Sequence, residues 1–71
     1  MHQAEITRRR AAAFADLSEW FDIEQRDLRT TEANGNLVLI ARVSGSKAQF
    51  TARWLINRHF PDVAVHFEPQ T

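Results

Sequence analysis

Three groupings in this 71-residue chain are candidates for chemistry: Arg8-Arg9-Arg10, the histidines His2, His59 and His66, and the acidic cluster Asp22, Glu24 and Asp27. Adjacent arginines offer phosphate contacts to RNA or DNA. On a helix, however, successive residues fan out by about 100°, so Arg8, Arg9 and Arg10 do not share one face, and Glu5, Asp16 and Glu19 are close enough to offset them. A solvated helix surface is the commoner explanation of such a run. The histidines share no short spacing and no HExxH pattern, so no metal site is expected. His59, near the end of a helical stretch, reads as a C-terminal cap. It would serve an enzyme only if a neighbouring chain placed a carboxylate beside it. Paired carboxylates do acid/base work when burial pushes their pKa values apart, and nothing around Asp22, Glu24 and Asp27 suggests burial. They are expected to be a charged sheet edge or a negative surface for a basic partner. With only Gly35 and Gly45 there is no glycine-rich phosphate loop, and no Ser-His-acid or Cys-His set exists. No catalytic, cofactor-binding or metal-binding residue is therefore nominated.

Phe50 and Trp54 carry a different signal. Within a helical stretch, Ala48, Ala52, Leu55, Ile56 and His59 form one apolar stripe, while Phe50 and Trp54 fall on the opposite flank beside Lys47, Asn57 and Arg58. Large aromatics on the far side of an amphipathic helix imply a second buried surface. Either another layer of the monomer covers them, such as the first helix or the C-terminal tail, or a partner does. A partner is favoured, because a chain this short has little core to spare. Phe50 and Trp54 would be the anchors, with Lys47, Arg53 and Arg58 as a polar rim or stacked on the indole.

These residues need elements to hold them. Ile6, Ala13, Phe14, Leu17 and Phe21 recur at helical spacing and predict a helix from Ala4 to about Trp20, with Glu5 and Arg9 as a favourable i,i+4 pair. Asn34-Gly35 predicts a two-residue hairpin turn, which would set Thr31 against Val38, Thr30 against Leu39, Leu28 against Ala41 and Asp27 against Arg42. Leu37 to Ala41 is apolar without alternation, as expected of a central strand covered on both faces. Its partner must come from residues 22–32, although Leu17, Trp20, Phe21 and Leu28 also fit a helix continuing through Asp27. Ser46 and Gln49 have the spacing of a capping box opening the second helix, and Pro61 stops it near His59 or Phe60. Val63, Val65 and Phe67 then alternate as a last strand. The order α-β-β-α-β resembles, in topology alone, the KH-like and ring-building modules of bacteria. The GxxG loop of a KH domain is absent, so the resemblance implies no function.

The expectation is one α+β domain spanning residues 1–71, a three-stranded sheet with two helices packed on it and short disordered ends near 1–3 and 69–71. There is no cysteine, so disulfides and thiolate metal sites are excluded, and nine basic residues balance nine acidic ones, so no global field draws the chain to nucleic acid. No apolar run could span a bilayer and no secretory leader is apparent, which suggests a cytoplasmic protein without membrane contact. The expected function is a non-enzymatic protein-binding module, in the format of small bacterial or phage-encoded adaptors and inhibitors that occlude another protein's surface, associating with a protein partner or with itself as a homodimer through the second helix. The alternative is a small RNA- or DNA-binding domain using Arg8, Arg9 and Arg10 with Arg53 and Arg58. No cofactor or small-molecule substrate is expected.

Overall fold

The computed structural model describes residues 2–70. Helix α1 (Gln3–Ser18) is followed by a single 3-10 turn (Gln25–Asp27), strand β1 (Leu28–Ala33), strand β2 (Asn36–Arg42), helix α2 (Ser46–Asn57) and strand β3 (Ala64–Glu68). This is the expected α+β order. The sheet runs β1-β2-β3, with β1 antiparallel and β3 parallel to the central strand. At the hairpin, Asn34 and Gly35 take φ values of 55° and 80°, the left-handed geometry that a two-residue turn demands and that these residue types tolerate. That turn fixes the ladder, and Leu28, Thr30 and Thr31 face Ala41, Leu39 and Val38 as the spacing requires.

The approach to the hairpin is shorter than expected. Residues 21–27 are neither strand nor a continuation of α1, and the pairing of Asp27 with Arg42 does not occur, because the ladder begins at Leu28. Trp20 and Phe21 close the helix by donating their amides to the Leu17 carbonyl. Phe21 and Ile23 then pack against the core, holding the loop down. Glu24 and Asp27 cap the 3-10 turn reciprocally, with the Glu24 amide 2.8 Å from Asp27 Oδ2. A carboxylate committed to that local bond favours a turn over an extended ladder.

Alternation sorts the sheet into two unlike faces. Leu28, Leu39, Ala41 and Val43 join Ala13 and Leu17 of α1, Ala52, Leu55 and Ile56 of α2, and Phe60 in one core, edged by Leu37, Val65 and Phe67. Both helices therefore lie on the same side. The opposite face carries Arg29, Thr31, Val38, Ile40, Arg42, Ala64, His66 and Glu68, so the expected cover on both faces of β2 is a correction: the helices cover one face only. Val38 is nonetheless buried, flanked in the ladder by Thr31 and Ala64, and Ile40 is half-buried between Arg29 and His66. Glu68 adds a charged strap across the strands, 3.0 Å from Arg29 and 3.5 Å from Arg42.

The start of α2 also departs from expectation. Ser46 lies inside the helix, Gly45 occupies the N-cap at φ 95°, and no side chain caps it. Gln49 reaches instead to the Val43 carbonyl at 2.7 Å, pinning the helix to the strand it follows. At the other end Asn57 donates to the Phe60 and Val63 carbonyls, so one amide side chain ties the turn around Pro61 together. Of the ends expected to be disordered, Met1 and Thr71 lie outside the described residues. Gln3 opens α1, and the Gln70 amide donates to Ser44 Oγ at 2.6 Å.

Candidate functional site: the outer face of α2

Every fully buried residue in the described chain is apolar, so whatever chemistry the molecule offers is at its surface. Helix α2 turns Ala52, Leu55 and Ile56 inward, and the same periodicity forces Phe50 and Trp54 outward. They are 76% and 60% exposed, and neither α1 nor the C-terminal tail covers them. Phe50, Trp54 and Arg58 follow one another at i,i+4 intervals, a ridge along the helix. The Arg58 guanidinium lies over the Trp54 ring at 5.3 Å from its centroid, shielding one face of the indole. Arg53 lies instead over Phe67 of β3, also at 5.3 Å, and so borders the ridge from the sheet side. Lys47 is exposed one turn before Phe50 and makes no ion pair among the described residues.

The α1 side of the ridge holds what spacing did not reveal. His59 lies just beyond α2, its Nε2 2.7 Å from Asp16 Oδ2, and the same oxygen is 4.0 Å from Arg58. The expected capping role of His59 is thus replaced by a bond to a residue 43 positions away. No periodicity in a single sequence could show that pair, because it depends on how two helices cross. Among the described residues no group of three or more His, Asp or Glu side chains is placed to hold a metal ion.

Trp20, which by spacing fits a continuing helix, is instead a third exposed large aromatic. Helix α2 connects two parallel strands and so runs against them, while α1 runs the other way. Gln3 and Ile6, at its start, share a hollow with Gly35 and Leu37 at the hairpin end, whereas the Asp22 carbonyl, just past its end, accepts from Gln70 beyond β3. The two helices are therefore antiparallel, with Asp16 beside Arg58. One turn onward from Asp16 is Trp20, and one turn back from Arg58 is Trp54. Trp20, just past the end of α1, is 63% exposed.

The arginine run divides as helical geometry requires. Arg8 and Arg9 line a shallow hollow with Ala12, Arg58, His59 and Pro61. Arg10 turns away to Gln25 Oε1 and the Leu28 carbonyl. Arg9 is held by Glu5 and also points at the His59 carbonyl, so Arg8 alone of the three is without a recorded polar partner. The acidic cluster is no sheet edge. Asp22, Glu24 and Asp27 surround a hollow that also contains Arg26 and Arg42, and Arg26 is paired with Glu24 at 2.7 Å.

Compared with known proteins, the chain finds no match: no family model, no curated protein and no solved structure aligns with it significantly.

Proposed function

We propose that this chain is a non-enzymatic protein-binding module whose contact surface is the outer face of α2. The observation that supports it is the exposure of Phe50 and Trp54 as neighbours on one helix, flanked by Lys47, Arg53 and Arg58. Two large aromatics at water cost solvation free energy that a partner would recover, and a Trp ringed by Arg is the composition of binding hot spots. The module acts as an adaptor, accessory subunit or inhibitor by covering the surface it docks on, whether that belongs to another protein or to a second copy. Trp54→Ala weakens the association by about 2 kcal/mol while leaving the fold intact. A sedimentation and binding profile identical to wild type refutes the assignment.

The hollow between Arg8, Arg9 and Arg58 favours a second reading, a small RNA- or DNA-binding surface in which those arginines meet phosphates and Trp54 stacks on a base. Weighing against it, Glu5 and Asp16 already engage Arg9 and Arg58, and Arg10 faces elsewhere. A polyanion contact would weaken steeply with added salt, whereas an apolar protein contact responds little. No mobility shift at low salt eliminates the nucleic-acid reading.

A further inference from the structure

Charge along α2 narrows the choice of partner. From Ser46 to Asn57 the helix contains no acidic residue, and with Arg58 it presents three cations, Lys47, Arg53 and Arg58, around Phe50 and Trp54. Among the described residues the one carboxylate in ion-pair range of these cations is Asp16, shared between Arg58 and His59. In a two-fold symmetric dimer the same patch meets itself, so cations would face cations and no acid on either copy's α2 could answer them. The face is thus ill suited to its own copy. A nucleic acid fits poorly as well. One face of the Trp54 ring is occupied by Arg58, and of the arginines lining the hollow with Arg8, Arg9 is already held by Glu5 and Arg58 lies 4.0 Å from Asp16.

The geometry points to an acidic amphipathic polypeptide as the occupant: a partner segment whose apolar side chains cover Phe50 and Trp54 while its carboxylates meet Lys47, Arg53 and Arg58. This rests on the protein-binding reading and adds the partner's chemistry to it. The three cations outline an apolar strip along α2, the format in which one helix lies along another, apolar anchors at i and i+4 with charge at the margins.

The test is selection of random peptides displayed on phage against the full chain, with the enriched peptides synthesised and their affinity measured. The expected result is enrichment of Asp and Glu spaced around Leu, Ile, Phe or Trp at helical intervals. Such peptides should bind about thirtyfold more weakly to Trp54→Ala and about tenfold more weakly to an Arg53→Glu, Arg58→Glu chain. Circular dichroism verifies that each variant is folded, and Phe50→Ala, altering a side chain 76% exposed, provides a second variant of the same surface. Enriched peptides that are neutral or basic, yet lose affinity with Trp54→Ala and Phe50→Ala, overturn the acidic partner and leave the binding surface standing. A wild-type dimer dispersed by Trp54→Ala does the same, making a second copy the occupant. Peptides indifferent to both aromatic substitutions, or no enrichment at all with a monomeric wild type, overturn both. Tight binding of a fifteen-residue oligothymidylate lost with Trp54→Ala, in the absence of peptide enrichment, assigns the face to nucleic acid instead.

Discussion

An indole 60% open to water, with a guanidinium over one of its faces, lies outside the core, so Trp54 contributes little to the chain's own packing. That separates binding from folding at the residue level. Trp54→Ala should leave the urea midpoint within about 0.5 kcal/mol of wild type, as expected for a surface change outside the core, while reducing partner affinity. The contrast is Asn57, three residues on. Its side-chain amide donates to the Phe60 and Val63 carbonyls at 2.9 and 3.2 Å, closing the turn that returns the chain from α2 to the sheet. Asn57→Ala strands both half-buried carbonyls and should cost about 1 to 2 kcal/mol in equilibrium unfolding, with no direct effect on the contact surface. An Asn57→Ala chain as stable as wild type would show that the tether is incidental.

At the scale of elements, the critical junction is the passage from β2 into α2. Gly45 takes φ 95° there, and a Cβ added to it would meet nothing within 4 Å. Backbone conformation alone thus decides the outcome. Gly45→Ala should destabilise by about 1 kcal/mol despite the empty space, because an L side chain is disfavoured at that φ. A chemical-denaturation midpoint unchanged or raised by the substitution would contradict this. The same junction explains why the Ser46-Gln49 capping pattern misleads. Once Gly45 turns the chain, Gln49 is one turn into the helix and close enough to Val43 to bond its carbonyl, so its side chain ties helix to strand. The hairpin was legible from two residues because Asn34-Gly35 encodes its own geometry. Residues 21–27 were not, since Phe21 and Ile23 serve the core from a loop and show neither helical nor strand periodicity clearly.

At the scale of the whole molecule, a small domain gathers two helices on one face of a three-stranded sheet around a core in which Phe60 is fully buried. Domains of this size have about 4 to 10 kcal/mol of total stability, and removing a buried Phe costs about 3 to 5. Phe60→Ala should therefore leave a substantial unfolded population at room temperature, detectable as loss of cooperative melting. Retention of a sharp transition near the wild-type midpoint would mean that the core is broader than this packing indicates. The inward stripe of α2 and the outward Phe50 and Trp54 could be read from spacing, because a single helix determines both. The splitting of Arg10 from Arg8 and Arg9 was legible for the same reason, whereas the bond from His59 to Asp16 required the crossing of α1 and α2, which no local pattern encodes.

The most direct measurement of whether α2 is the contact surface is the fluorescence of Trp54 in a Trp20→Phe chain, titrated with a peptide enriched on the wild-type protein. Burial of the indole predicts a saturable shift of its emission to shorter wavelength, abolished by Phe50→Ala at the same peptide concentrations. Emission unchanged at peptide concentrations that saturate binding by an independent readout would mean that the partner docks elsewhere, and the outer face of α2 would not be the site.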